Sequence, residues 1–192
     1  MTPQLHLPDP PISLPGFRVR GWTPADVGAL VAAWSDPEMH RWMPEEADPF
    51  GADEAHVFVD EAATNLATGK AVALAIAEES TDQAVGSVTF HVWGPRHWSV
   101  GYWVVPGQRG RGLATEALTT LSRWAFSANP QVARLSLYTL TGNEPSQLVA
   151  ERAGFKREGL LRRWVEINGE LLDWVMYSLI RDDLAGEGSD AQ

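Results

Sequence analysis

A glycine turn between a predicted strand and a predicted helix constrains the fold of this chain more than any other feature of its sequence. The strand covers residues 98–105, and apolar residues recur at helical spacing from 112 to about 126. The first amides of a helix lack backbone partners and lie at its positive end, and Gly110 and Gly112 leave them accessible. With Arg109 and Arg111 beside it, the segment is a candidate phosphate-binding turn, and an ordinary tight turn is the alternative.

Two other phosphate-binding patterns do not fit this turn. A P-loop requires Lys followed by Ser or Thr after its last glycine, whereas Leu113 and Ala114 follow Gly112. A dinucleotide-binding G-x-G-x-x-G turn requires a third glycine where this chain has Thr115, and it lies in a parallel βαβ unit. The strands around this turn are predicted to be largely antiparallel, so both alternatives are set aside.

The rest of the chain predicts one mixed α/β domain with the element order β-α-α-β-β-β-α-β-α-β-β. Strands are expected at 17–22, 71–78, 84–93, 98–105 and 134–141, and a hairpin of 160–167 and 170–180 turns at Asn168-Gly169. Helices are expected at 23–34, 53–67, 112–126 and 145–153, whereas Pro37, Pro44 and Pro49 predict an irregular segment at 37–51. The expected limits are a proline-rich arm at 1–14, the domain at 15–184 and a flexible tail at 185–192.

Composition narrows the classes of protein to which this chain can belong. At 192 residues and 44% hydrophobic content it can bury one full core. The absence of cysteine excludes disulfides, thiolate metal sites and a cysteine nucleophile. The formal net charge of -10 disfavours nucleic acid and suits a cationic amine, although simple solubility is the favoured explanation of the charge. With no bilayer-length apolar run and no signal-peptide core, a cytoplasmic protein without membrane or metal partners is expected.

The turn and several flanking motifs resemble one known family. Residues 109–114 match the (Gln/Arg)-x-x-Gly-x-(Gly/Ala) loop of the GNAT superfamily of acyl-CoA-dependent N-acetyltransferases. Gly101-Tyr102-Trp103, Asn143-Glu144-Pro145-Ser146 and Ala153-Gly154-Phe155 with Glu158-Gly159 are similar to the branch that acetylates the N-termini of ribosomal proteins. The resemblance covers about 17–184. It implies a GNAT-like α/β (α+β) fold, with a central, mixed, mostly antiparallel twisted sheet, splayed strands and about four helices.

The resemblance also implies which residues hold acetyl-CoA, the acyl donor. The strand that ends at Trp103, Val104 and Val105 would splay from 135–139, and its backbone would bond the pantetheine arm. Asn143 would contact the arm, and Ser146 would lie near the thioester sulfur. The pyrophosphate would be held by the amides of Arg109, Gly110, Arg111, Gly112, Leu113, Ala114 and Thr115.

The implied reaction is direct attack of an amine on the thioester through a tetrahedral intermediate, with a backbone N–H stabilising the oxyanion. Ser146 would donate a proton to the leaving thiolate, unless it bonds only the helix backbone. The branch commonly carries Glu at the positions of Ser99 and Val165, and neither acid is present in this chain. His91 and Glu166 are the candidate bases, and packing or ion pairing are their structural alternatives.

The final hairpin bears on the choice of base. Regular pairing across its turn would place five residues on one face, namely Arg162, Trp164, Glu166, Leu171 and Asp173. Asp173 would then bind or deprotonate an amine, as Glu166 would, or would form an ion pair with Arg162. A chain of waters would remove the need for any protein base.

The acceptor pocket is expected between 34–50 and the final hairpin, where Trp42, Trp93 and Trp164 would supply aromatic walls. The predicted function is transfer of an acetyl group to a protein N-terminus or a small-molecule amine. One alternative is a non-catalytic acyl-CoA-binding module. Another is use of a larger donor such as succinyl-CoA, which would need a cation such as Arg96, Arg162 or Arg163. The branch also suggests a homodimer.

Overall fold

The computed structural model describes residues 5–43, 50–167 and 169–185, and alternates strands with helices along the chain. The strands are β1 (Ile12–Leu14), β2 (Phe17–Gly21), β3 (Ala71–Glu78), β4 (Ala84–Gly94), β5 (His97–Val104), β6 (Arg134–Leu140), β7 (Lys156–Ile167) and β8 (Glu170–Ile180). The helices are α1 (Val27–Trp34), α2 (Pro37–Trp42), α3 (Ala52–Ala67), α4 (Leu113–Ala128), α5 (Glu144–Arg152) and α6 (Arg181–Ala185). Short 3-10 turns occupy Pro24–Asp26 and Pro106–Gln108.

The strands are hydrogen-bonded in the order β1-β2-β3-β4-β5-β6-β8-β7. Antiparallel pairing joins β1 to β2, β2 to β3, β3 to β4, β6 to β8 and β7 to β8, whereas β5 and β6 pair in parallel. This arrangement confirms the predicted mixed α/β fold with a mostly antiparallel sheet. The described residues contain six helices where the sequence predicted about four.

The chain divides into two compact units, the first of which comprises Met1–His91 and Tyr102–Ala114. Its strands β3 and β4 are rich in small and β-branched residues that fit a pleated, buried surface. Helices α1 and α3 place apolar residues three or four positions apart, so each buries one face. These faces meet in a core cluster of Leu30, Ala33, Trp34, Met39, Ala55, Val59 and Trp103. Each large side chain buried there stabilises the unit by about 1.5–3 kcal/mol.

The second unit comprises Val92–Gly101 and Thr115–Gln192. Four residues of α4 at helical spacing are fully buried, namely Ala117, Leu118, Leu121 and Ala125. Alternate residues of β8 are also buried, namely Val175, Tyr177 and Leu179. The hydroxyl of Tyr177 lies 3.2 Å from Glu151 Oε1, which links β8 to helix α5.

Helix α2 corrects the prediction of an irregular segment at 37–51. Asp36 Oδ1 accepts the N–H of Glu38 at 3.2 Å and caps the helix, and Pro37 stands at its first position. Proline is well tolerated there because its missing N–H would have no helical partner. Pro44 and Pro49, the other residues behind that prediction, lie outside the described residues.

The other departures are at the ends of elements and in the hairpin. Strand β1 lies within the proline-rich arm, and strand β7 begins four residues earlier than predicted, at Lys156. Asn168 and residues 186–192 lie outside the described residues, and the arm, domain and tail limits stay predictions. None of the helices in the described part of the chain is both long and apolar enough to cross a bilayer.

Candidate functional site

The predicted phosphate-binding turn has the backbone geometry of an open helix N-terminus. Gly110 and Gly112 have φ values of +70° and +83°, in the left-handed region that favours glycine. A Cβ added at either position would meet no atom within 4 Å, so open space lies beside both residues. Helix α4 begins at Leu113, and its first amides have no partner within the helix. The turn therefore presents unshielded N–H donors to an anion.

The side chain of Arg109 forms its hydrogen bonds with other residues of the protein. Its Nη1 donates to Glu38 Oε2 at 2.8 Å, its Nη2 donates to Asp36 Oδ2 at 2.5 Å, and its Nε donates to Val104 O at 3.2 Å. The Arg109 N–H also donates to Pro106 O at 3.2 Å within the turn. The amide of Arg109 is thus used locally, and the geometry does not support its predicted contact with pyrophosphate. Arg111, in contrast, is exposed.

The end of β5 is fixed on one side by strand β4. Val105 donates its N–H to Val85 O at 2.9 Å, and a Cβ on Gly86 would lie 2.7 Å from Trp103 O. The N–H and C=O groups of successive strand residues point in alternate directions. The backbone polar groups of Trp103 and Val105 therefore point towards β4, and the Val104 N–H points the other way. Of the three residues predicted to bond the pantetheine arm, Val104 alone therefore directs its N–H away from β4.

In the second unit, β5 and β6 pair in parallel at three residue pairs, from His97↔Arg134 to Ser99↔Ser136. Strand β6 continues to Leu140, beyond the last of these pairs. The predicted contacts after β6 lie at the start of helix α5, where Asn143 Oδ1 accepts the N–H of Ser146 at 3.1 Å. Asn143 is therefore a helix cap, and Ser146 is half-buried in the first turn.

The two candidate bases stand in different surroundings. His91 pairs with Ala71 across β3 and β4 and is an exposed residue. Desolvation by surrounding protein atoms nevertheless lowers the pKa of His91 below the ordinary value of 6.5. The lowered pKa keeps the imidazole of His91 neutral at neutral pH, and the residue remains exposed. Glu166 is exposed and lies opposite Leu171, as the hairpin pairing predicted.

A bulge in β7 corrects the predicted face of the hairpin. Regular pairing runs from Ile167 to Val165 and shifts before Leu161, so Arg162 and Trp164 do not continue the predicted alignment. Arg163 has a φ of +50°, and its N–H donates to Asp173 Oδ1 at 2.7 Å. Asp173 thus stabilises the bulge backbone, a role that replaces the predicted pairing with the Arg162 side chain.

A polar network in the second unit was not predicted. Arg134 donates to both oxygens of Glu158 at 2.8 and 2.7 Å, and Ser178 Oγ donates to Glu158 Oε1 at 2.5 Å. The guanidinium of Arg134, followed by the Ser178 hydroxyl, lowers the pKa of Glu158 to about 2. Ser136 Oγ accepts from Arg134 Nε at 3.0 Å and lies 2.8 Å from His97 Nε2. These residues come together because of the strand order: Arg134 is on β6 and Glu158 is on β7, and both strands are neighbours of β8, which carries Ser178.

The predicted aromatic walls have separate surroundings. The Trp42 ring has the Arg41 guanidinium 4.4 Å from its centroid. Trp93 is 55% exposed and stacks on Tyr138, with ring centroids 5.6 Å apart. Tyr138 in turn lies 5.4 Å from Trp174. Trp93, whose ring centroid also lies 5.4 Å from that of His97, therefore belongs to a row of rings in the second unit, and sequence reasoning missed Tyr138 and Trp174.

A second aromatic group surrounds Trp103 in the first unit. The ring centroids of Trp22 and Trp34 lie 6.0 and 6.4 Å from that of Trp103. Within the described part of the chain, the buried indole N–H groups of Trp22 and Trp34 have no hydrogen-bond partner. No group of three potential metal-ligating side chains comes together among the described residues, and the expectation of no metal stays a prediction.

Comparison with known proteins assigns the family. A family model for the acetyltransferase (GNAT) domain matches residues 17–156. The chain belongs to the GNAT acetyltransferase family. An N-acetyltransferase of Bacillus subtilis named YoaA is 26% identical over 165 residues, which cover 85% of this chain and 92% of YoaA. The resemblance read from the motifs is thereby confirmed.

Two solved GNAT structures share the fold. RimJ from Mycobacterium smegmatis, in complex with CoA-disulfide, has a TM-score of 0.78 at 22% identity and covers 93% of each chain. The ribosomal-protein-S5-alanine acetyltransferase of Vibrio fischeri has a TM-score of 0.79 at 20% identity, covering 90% of this chain and 97% of the other. Acetyl transfer to an amine is general for the GNAT family, and the chain is accordingly an acetyltransferase by family.

Proposed function

We propose that this GNAT chain transfers an acetyl group from acetyl-CoA to a primary amine. The observation that carries the proposal is the open turn at Gly110 and Gly112 in front of helix α4. Several N–H donors at a helix N-terminus suit a diphosphate, and a Cβ at either glycine would fill the space that an anion needs. The exposed Arg111 adds a positive charge beside these amides.

Other residues of this chain would position the rest of the donor. The Val104 N–H, directed away from β4, would bond the pantetheine arm, and Asn143 would contact the arm from its capping position. Bound acetyl-CoA supplies the activated thioester carbonyl. Ser146 would donate a proton to the departing sulfur from the first turn of α5 and regain one from water, and its own N–H is held by Asn143.

We further propose His91 as the group that takes the proton from the attacking amine. Its lowered pKa keeps the imidazole neutral at neutral pH, and its exposed area allows access to water or an amine. Glu166 is the alternative, because its exposed carboxylate can bind a cationic amine. The acceptor is either a protein N-terminus or a small-molecule amine.

The test is acetyl-CoA turnover by the purified chain with matched sets of acceptors. One set would contain peptides with free N-termini, and the other small primary amines, each with an N-blocked control. Release of CoA that depends on a free amine would support the proposal. Tight CoA binding without turnover across both sets and from pH 6 to pH 9 would instead establish a non-catalytic acyl-CoA-binding module. Faster turnover with succinyl-CoA would contradict the choice of donor.

A further inference from the structure

We propose that Arg109 acts in acyl-CoA binding as a positioning residue that fastens the turn to helix α2, and that it is not itself a ligand of the pyrophosphate. The proposal rests on the proposed function, because it takes the anion at the turn to be that of CoA. It assigns different tasks to the two arginines of the turn. Arg111 supplies charge to the anion, and Arg109 holds the backbone that presents the amides.

The contacts of Arg109 engage every nitrogen of its guanidinium with the protein. Each of its three nitrogens has an acceptor, on Asp36, Glu38 and the carbonyl of Val104. The two carboxylates together outweigh the single positive charge. Arg109 therefore contributes little positive potential to a neighbouring anion. Its planar, forked guanidinium instead holds the turn both to helix α2 and to the carbonyl of Val104.

The ion pair between Arg109 and Asp36 is partly buried and therefore differs from a surface ion pair. The side chains of Arg109 and Asp36 are 30% and 14% exposed, whereas that of Glu38 is 55% exposed. If a phosphate drew Arg109 away, the carboxylate of Asp36 would stay largely buried without its counter-ion. Such a charge is costly to leave unpaired, so the pair with Asp36 is expected to persist when the anion binds.

Helix α2 is itself anchored on its other side. Asp36 uses Oδ1 to cap α2 and Oδ2 to bind Arg109, so one carboxylate joins the helix to the turn. Met39, one turn further along α2, is buried in the core cluster that contains Trp34 and Trp103. Arg109 thus connects the turn to a packed part of the first unit. A second contact that holds the turn is made by Gln108, whose Nε2 donates to Glu78 Oε1 at 3.1 Å.

The experiment compares CoA affinity, by calorimetry at two salt concentrations, with kcat and KM for the best amine. The informative variants are Arg109→Gln and Asp36→Asn, because asparagine can keep the capping oxygen of Asp36 while an amide NH2 replaces the charged oxygen that accepts from Arg109. We expect each to raise the Kd for CoA about tenfold, and the double variant to add little, as for two ends of one contact. The value of kcat should change less than about twofold, and Arg109→Lys should recover part of the affinity.

Two further variants separate positioning from direct contact. Arg111→Gln should weaken CoA binding and reduce its salt dependence, whereas Arg109→Gln should leave the salt dependence unchanged. Glu61→Gln on the exposed face of α3 controls for the loss of one negative charge and should leave Kd unchanged. Thermal unfolding of each variant without ligand would show whether it is folded.

Tighter CoA binding by Asp36→Asn would overturn the proposal, since it would show that the carboxylate restrains an arginine that otherwise binds phosphate. Additive losses in the double variant of Arg109 and Asp36 would also overturn it. Unchanged affinity in both single variants would remove the positioning role and leave the proposed function intact. A wild-type chain that fails to bind CoA would instead contradict the proposed function.

Discussion

Replacing Gly86 with alanine would test how closely β4 and β5 approach beside the turn. The new Cβ would lie 2.7 Å from Trp103 O and 3.0 Å from Val104 Cγ1. Cβ atoms essentially never approach a backbone atom within 3.0 Å, so one strand must move by at least the 0.3 Å difference between 3.0 and 2.7 Å. Overpacking of this kind costs about 1–3 kcal/mol of unfolding free energy. For a chain of this size, that corresponds to a Tm lower by roughly 2–12 °C.

Urea unfolding and a thermal scan, both without ligand, would measure the effect. Gly94→Ala is the matched control, because Gly94 is on the same strand and its added Cβ would meet nothing within 4 Å. The control should stay within about 0.5 kcal/mol of the wild type. Equal stability of Gly86→Ala and Gly94→Ala would refute the close approach of Trp103 to β4, and with it the direction assigned to the Val104 N–H.

Three further predictions concern charged or titratable groups. Asp26→Asn should cost about 1–3 kcal/mol in urea unfolding, because Arg20 would lose its bidentate partner and keep only Asp82. Glu158 has a folded pKa near 2, below the ordinary 4.5, so the pair with Arg134 stabilises the fold fully above pH 4.5 and loses this effect as pH falls towards 2. Glu158→Gln should therefore cost about 1 kcal/mol at pH 7, a value reduced by the 39% exposure of Glu158, and almost nothing at pH 2. His91→Gln should lower kcat/KM about 100-fold and abolish an acid limb below pH 6.5, whereas an unchanged profile would exclude His91 as the base.

Local patterns in the sequence were enough to predict the turn and most elements of the sheet. Gly110 and Gly112 both adopt positive φ, and helix α4 starts one residue after the predicted position. Such features depend on short-range chemistry, namely the glycine backbone and the spacing of apolar residues. Helix α2 was missed because Pro37 was read as a helix breaker, although proline at the first helical position favours a helix.

Long-range partners could not be predicted from one sequence. Arg109 and Asp36 are 73 residues apart, so the motif suggested a free cation where the fold provides an ion pair. The bulge in β7 depends on Asp173 binding the N–H of Arg163 across the hairpin, which simple pairing from the turn cannot anticipate. Arg134 and Glu158 meet only because β6 and β7 lie on either side of β8.

The most direct test of the central claim is the Kd for CoA of the wild type and of Gly112→Val, measured by calorimetry. Gly107→Val is the control, because Gly107 lies in the same turn, faces open space and does not have positive φ. A side chain at 112 would block at least two charge-assisted N–H contacts, so we expect Kd to rise about 100-fold or more. Gly107→Val should bind CoA like the wild type. Unchanged CoA affinity in a folded Gly112→Val variant would contradict the assignment of this turn to the CoA pyrophosphate.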